Sequence, residues 1–230
     1  MMRTKKKKVA VFDIDGTVFR SSLLIEINLR LIREGIFPLK ALKEVERSYH
    51  RWLDRKGTYE DYINGMVRIH EQHISGKHVS DIVHISRQVV REHRDRVYMY
   101  TRDLIKRLRP AYFMIAISGS PIEVVKEFSR FWGFDLYYGK AYEIKDGKYT
   151  KRIIQRPYEN KKKILYECLA GAGLGLKGSV GVGDTESDIS FLEEVEKPIC
   201  FNPNQKLLAT ARRRGWKIVV ERKDAVHHIV

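Results

Sequence analysis

Apolar positions along this chain follow two rhythms. Residues 8–14 (KVAVFDI) form a short β-branched run with almost no polar alternation. A strand solvated on one face alternates apolar with polar. A strand covered on both faces does not, and such strands build parallel sheets. Comparable runs recur at residues 112–118 (YFMIAIS), 179–183 (SVGVG), 198–201 and 216–220. Helical stretches lie between several of them, notably residues 121–131 and 161–172. This order predicts an α/β fold with a mainly parallel sheet flanked by helices. Residues 137–149 (YYGKAYEIKDGKY) read as a hairpin turning at Asp146-Gly147.

The second rhythm is helical and fills the stretch from Ser21 to Asp95. Leu24, Ile27 and Leu31 share one face; Leu42, Val45, Tyr49 and Trp52 continue the spacing in a second segment. Tyr62, Met66, Ile69 and His73 mark a third segment, and Ile82, Ile85 and Val89 a fourth. Gly35, Pro38, Gly57 and Gly76 punctuate them, and Thr58 with Asp61 has the form of a capping box. Four helices in a row without a strand predict an all-helical insert at residues 20–98. The α/β core is then residues 1–19 and 99–230.

Composition narrows the class. The chain has 230 residues, 43% hydrophobic and 32% charged, which suits one globular domain with an insert and argues against disorder. Cys168 and Cys200 make no disulfide framework and no close-spaced metal cluster, so both read as buried thiols of a reducing compartment. No apolar run approaches membrane-spanning length, and the run after the basic start is broken at Asp13 and Asp15, unlike a signal peptide. The expectation is a soluble, cytoplasmic protein. The lysines at 5–8 read as a solvated lead-in to the first strand. A formal charge of +15 attracts anions, whether phosphorylated metabolites, nucleic acid or lipid headgroups, or serves solubility alone.

The acids sit where a parallel sheet presents its ligands. Asp13-Ile14-Asp15-Gly16-Thr17 closes the first apolar run, and positions i and i+2 of a strand face the same side. Such a carboxylate pair suits a nucleophile beside a proton carrier. Asp184 and Asp188 follow the run at 179–183 and add acid to the same edge, whereas Glu186 reads as outward-facing. Clustered carboxylates need a cation, and hard oxygen donors suit Mg²⁺. Ser118-Gly119-Ser120 offers a hydroxyl and backbone amides ahead of a helix, as an anion cradle. Asn160 opens a helix with Lys161, Lys162 and Lys163, which taken alone reads as a solvated basic turn or as a lysine placed to reach a phosphate.

Taken in chain order, these pieces resemble the four motifs of the haloacid dehalogenase superfamily of phosphohydrolases. They are Asp13-x-Asp15-Gly-Thr, Ser118, a lysine near 161, and Gly-Asp184-x-x-x-Asp188. The helical insert after the first motif resembles that family's first type of cap, on a Rossmann-like core. Phe201-Asn202-Pro203 and Arg214-Gly215-Trp216 look like the phosphoserine-phosphatase branch. The resemblance implies Asp13 as nucleophile and Mg²⁺ ligand. It implies Asp15 as general acid/base with its carbonyl on the metal, and Ser118 and the Gly119 amide on the phosphoryl group. Lys161, rather than Lys162, would neutralise the phosphate and fix Asp13. Asp184 would ligate Mg²⁺, and Asp188 would support it directly or through water. The expected substrate is a small anionic phosphorylated metabolite. Thr185 and Ser187 stand where that branch has Gly and Asn. Ser21, Ser22 and Leu23 stand near where it has a substrate-binding Glu, Glu26 being the nearest acid. Phosphoserine itself is therefore not implied.

Other patterns carry less. Arg47, Arg51 and Arg55 form a stripe that reads as solvated. His70, His73, His78 and His84 match no zinc spacing and read as surface and core of the insert. Residues 173–178 (GLGLKG) precede a strand instead of following one, so they read as a loop and not a dinucleotide site. Two rival functions remain at this stage: a phosphotransferase of the same superfamily, and a non-catalytic nucleic-acid or membrane binder using the basic charge.

Overall fold

The computed structural model describes residues 8–229; of the lysines at 5–8 only Lys8 falls within it, exposed at the start of the first strand. The chain begins with β1 (Lys8–Phe12) and then runs through four consecutive helices. These are α1 (Leu23–Arg33), α2 (Lys40–Leu53), α3 (Tyr59–His73) and α4 (Val79–His93). Next come α5 (Met99–Leu108), β2 (Tyr112–Pro121), α6 (Ile122–Trp132) and the hairpin β3 (Leu136–Lys145) and β4 (Lys148–Gln155). The last part alternates: α7 (Lys161–Ala172), β5 (Val180–Gly183), α8 (Ile189–Leu192), β6 (Lys197–Phe201), α9 (Gln205–Arg214), β7 (Lys217–Arg222) and β8 (Ala225–Ile229).

One eight-stranded sheet collects the described strands in the order β4-β3-β2-β1-β5-β6-β7-β8. Its interior, β3 through β7, is parallel; the outer strands β4 and β8 pair antiparallel with their neighbours. The unalternating runs have the predicted cause. Along β1, Ala10 and Phe12 face one apolar core while Val9 and Val11 face the other. Both faces are covered, so every position after Lys8 is apolar. The first core is continuous with the packing of α1–α4, through Phe19, Ile27, Phe128 and their neighbours.

The four helices stand where the spacing places them, and Thr58 and Asp61 close a reciprocal capping box at the start of α3. The chain segments leading into and out of them lie side by side: Arg20 N–H donates to Arg96 O at 3.0 Å and Tyr98 N–H to Val18 O at 3.1 Å. The β3–β4 hairpin forms a second seam with them, since Gly76 N–H donates to Tyr149 O and Tyr149 N–H to Lys77 O. That hairpin turns at Asp146-Gly147, both at positive φ, as expected; β4 then runs on to Gln155.

Three differences from the sequence reading have physical causes. The first strand stops at Phe12 and not at Ile14, because the Ile14 carbonyl accepts the amides of Thr17, Val18 and Phe19 in a helical turn. The second strand extends past Ser118 to Pro121 across a register shift. Strand β8 carries no burial signal, all five of its residues being exposed. Cys168 and Cys200 are buried and unpaired. Among the described residues, no helix is long and apolar enough to cross a membrane.

Candidate active site

The carboxyl ends of the central strands β1, β2 and β5 converge on one point. Asp13 follows β1 directly, its N–H still donating to Val182 O on β5 at 3.0 Å. Its side chain is buried, and Oδ1 accepts from Lys161 Nζ at 2.6 Å. Asp13 Oδ2 is buried with no hydrogen-bond partner. Lys161 opens α7, where Asn160 caps the helix by accepting the Lys163 N–H. The lysine side chain is 2% exposed, and its ammonium also donates to Asp188 Oδ1 at 2.6 Å. Lys162 points the other way, exposed and paired with Glu194.

Asp184 follows β5. Its Oδ1 accepts the Thr17 hydroxyl at 3.0 Å, and its Oδ2 lies against Gly16. Gly16 adopts φ +84, and a Cβ there would sit 2.3 Å from Asp184 Oδ2, so only glycine fits. Asp188 is fully buried. Its Oδ2 accepts the N–H groups of Asp184 and Thr185, both at 3.0 Å, while Oδ1 holds Lys161. Both oxygens of Asp188 are thus engaged, and its visible work is to shape the loop and hold the lysine. Glu186 faces away, bonded to Asn204 and Lys206.

Three carboxylates and one ammonium therefore share a buried site. Ligand oxygens of Asp13, Asp184 and Asp188 lie within 4.8 Å of one another. Burial pushes the Asp13 carboxyl up to about 8; Asp188 and Asp15 add to the rise and Lys161 opposes it. Asp184 is raised well above the carboxylate range by burial, then by Asp13 and Asp188. Burial disfavours the Lys161 ammonium, yet Asp13 and Asp188 outweigh it and hold the lysine charged. Such a site is short of positive charge. The orphaned Asp13 Oδ2 beside Asp184 offers hard oxygen donors of the kind a divalent cation such as Mg²⁺ takes.

Asp15 is placed differently from the side-by-side pair expected on a strand. It lies in the turn after β1, and its carboxylate is directed at the ends of β2 and α1. Asp15 Oδ1 accepts the Leu23 N–H at 2.6 Å; Oδ2 accepts the hydroxyls of Ser118 at 2.5 Å and Ser120 at 2.8 Å. Its side chain is not part of the Asp13–Asp184–Asp188 cluster. Ser118 in turn accepts the Ser120 N–H, and Ser120 the Leu24 N–H, both at 2.9 Å. Gly119 sits between the two serines, open enough that a Cβ would meet only the Tyr158 side chain at 3.8 Å.

A cleft of about 920 Å³ opens over Gly16 and Asp184. Arg20, Tyr59 and Tyr98 stand on its walls, none of them singled out by the sequence. Burial raises the Tyr59 phenol, with Asp15 and Asp184 adding to it; Tyr98 is raised by burial and Asp184. Thr17 and Ser120 were visible only as motif neighbours, because their partners are distant in sequence. Glu26, the acid nearest the first motif, is bonded to Arg96 at 2.6 Å and lies 3.4 Å from His93. Arg47, Arg51 and Arg55 are exposed. His70 is buried against Asn28, its pKa lowered to about 3 by burial and Lys140; His78 and His84 are exposed, and no histidine belongs to the acid cluster. Residues 173–178 join α7 to β5 as a loop.

Comparison with known proteins gives the family and the fold. The sequence model of the haloacid dehalogenase-like hydrolases matches residues 10–193. Phosphoserine phosphatase SerB1 of Mycobacterium tuberculosis is 24% identical over 91% of this chain and 69% of its own length. A histidinol-phosphatase of Neisseria meningitidis is 23% identical over 93% of this chain and 98% of its own. Among solved structures, a Bordetella pertussis protein of unknown function superposes with TM-score 0.74 at 23% identity, covering 93% and 98% of the two chains. A phospho-aspartyl intermediate analogue of phosphoserine phosphatase superposes with TM-score 0.60 at 23% identity, covering 96% of each. The match to the family's model and the acid–lysine site at the strand ends lead to one conclusion: this chain belongs to the haloacid dehalogenase-like hydrolases and is similar to their phosphoserine phosphatases.

Proposed function

We propose that the chain is a Mg²⁺-dependent phosphatase that hydrolyses phosphomonoesters through an aspartyl-phosphate on Asp13. The observation that carries this reading is Asp13 itself: one oxygen is fixed by Lys161 at 2.6 Å, and the other is buried without a partner. A structural carboxylate in that position would be paired on both oxygens. Relatives named as phosphatases support the same reading.

In this reading Asp13 Oδ2, Asp184 and the Asp15 carbonyl would hold the metal, and Asp188 would support it directly or through water. The bound cation would offset the clustered carboxylates and the charge of the phosphoryl oxygens. Lys161 orients Asp13 and stabilises charge growing on the transferring group. Ser118 and the Gly119 amide receive phosphoryl oxygens. A serine hydroxyl rotates freely, so Ser118 turns from Asp15 to the phosphate as substrate enters.

Asp13 then forms a bond to phosphorus as the bond to the leaving oxygen breaks, and Asp15 gives that oxygen a proton. Water next attacks phosphorus and returns a proton to Asp15. The bond to Asp13 breaks, inorganic phosphate leaves, and both acids are restored. The helices of residues 20–98 serve as the cap that screens this chemistry from bulk water.

The test is hydrolysis of p-nitrophenyl phosphate with Mg²⁺, with EDTA, and by the Asp13→Asn variant. Turnover that requires Mg²⁺ and Asp13 is expected. Turnover by folded Asp13→Asn near the wild-type rate would overturn the reading.

A further inference from the structure

The walls of the 920 Å³ cleft do not suit a leaving group as small and polar as serine. The cleft runs from Gly16 and Asp184 into the space between α1, α2 and α3. There it is lined by Leu29, Leu42, Val45, Tyr49, Trp52 and Tyr62. The spacing of the α2 residues looks like an ordinary core face. Yet α2 buries only Ala41 and Val45, and Tyr49 stays 37% exposed beside the opening. The rings form a connected group: Tyr49 lies 5.1 Å from Tyr62, and Trp52 stacks on Tyr62 with planes 9° apart. An apolar surface of this extent, left open and continuous with the acid cluster, marks a binding wall. Its volume lies near the top of the ~300–1,000 Å³ range of small-molecule clefts.

The polar inventory points the same way. An amino-acid leaving group carries an ammonium that needs a carboxylate. Glu26 is taken by Arg96 and His93 and does not line the cleft. Apart from Asp184 of the acid cluster, the acid that does is Glu46, exposed at the rim on the same helix as Lys43 and His50. Arg20 is also exposed there and lies over the Tyr98 ring at 5.6 Å, close to where a phosphate would enter.

We infer that the preferred substrate is a phosphomonoester whose alcohol carries a bulky apolar body, an acyl chain or a fused aromatic ring, seated in the slot between α1, α2 and α3. The inference rests on the phosphomonoesterase reading above, and the test separates the two.

Two matched pairs keep the chemistry of the leaving oxygen alike within each pair. Lysophosphatidate is compared with glycerol 3-phosphate, and 2-naphthyl phosphate with phenyl phosphate, phosphoserine being the polar reference. Wild-type enzyme in Mg²⁺ is expected to favour the larger member of at least one pair by roughly 10- to 100-fold in kcat/KM. The pair that shows the preference tells chain from ring. Leu42→Arg is expected to shrink that ratio at least about tenfold. Hydrolysis of the small members as well as or better than the large ones overturns the slot while leaving the phosphatase reading intact. No hydrolysis of any ester overturns the phosphatase reading. The slot is then read without turnover, by titrating the same esters into Asp13→Asn protein and following tryptophan fluorescence that is lost in a second background carrying Trp52→Phe. Tighter binding of the larger member supports the slot, and equal binding overturns it.

Discussion

The Lys161 ammonium lies 2.6 Å from Asp13 Oδ1, and both side chains are almost wholly withdrawn from solvent. The same ammonium holds Asp188 Oδ1 at 2.6 Å. One cation thus ties the acid that follows β1 to an acid in the short helical turn beyond β5.

Removing that cation should therefore harm folding as well as turnover. Leaving a buried charge without its partner costs about 3–5 kcal/mol. Lys161→Met is expected to lose about that much stability in EDTA, measured by urea unfolding. The loss should shrink as the pH is lowered and the stranded carboxylates take up protons. A variant as stable as wild type at pH 8 in EDTA would show that the contact carries no such energy.

The acid cluster also sets a pH dependence for the metal-free protein. Asp13 moves from its ordinary 3.8 up to about 8 on folding, so between those values the folded state holds more protons than the unfolded one. Its contribution is favourable at low pH and is lost as the pH rises to about 8. His70 works in the opposite sense: lowered from 6.5 to about 3, it favours folding above 6.5 and loses that effect only as the pH falls. The window from pH 6.5 to 8 therefore reads the acids. Stability in EDTA should fall there, by at most ~1.4 kcal/mol per pH unit for one group. Saturating Mg²⁺ should abolish the fall, and Asp13→Asn should reduce it. Chemical unfolding across that window, with and without Mg²⁺, checks each point.

Gly16 gives a sharper steric test. A Cβ there would meet Asp184 Oδ2 at 2.3 Å, and the backbone φ of +84 already disfavours any side chain. Gly16→Ala should displace Asp184, raising the Mg²⁺ concentration for half-maximal activity at least about tenfold. Mg²⁺ titration of the activity, and calorimetric titration of Mg²⁺ into the protein, should move together. An unchanged Mg²⁺ requirement would place the metal elsewhere.

Much of this site was legible in the sequence because its chemistry is local. An apolar run that ends in acid marks a strand end, and Asp13 and Asp184 lie directly after β1 and β5. Lys161 was one of three lysines; burial against Asp13 and Asp188 distinguishes it from Lys162 at the surface. The direction of Asp15 was not legible. It depends on a turn closed by the Ile14 carbonyl, and on Ser118 and Ser120 more than a hundred residues away. The cleft wall was hidden for another reason. Tyr49 and Trp52 have the spacing of a core face, and only the packing shows that α2 leaves that face open. β8 was missed because exposure removes the burial pattern that marks a strand.

The central claim is a covalent phosphoryl group on Asp13, and the Asp15→Asn variant tests it most directly. p-Nitrophenolate leaves without a proton, so the variant should still transfer phosphate from p-nitrophenyl phosphate. Without the Asp15 carboxylate to activate water, the second step should stall. Acid quenching within the first turnovers, followed by proteolysis and mass spectrometry, should then find a phosphoryl adduct on the peptide containing Asp13. Release of p-nitrophenolate with no adduct, or with the adduct on another residue, would contradict the account.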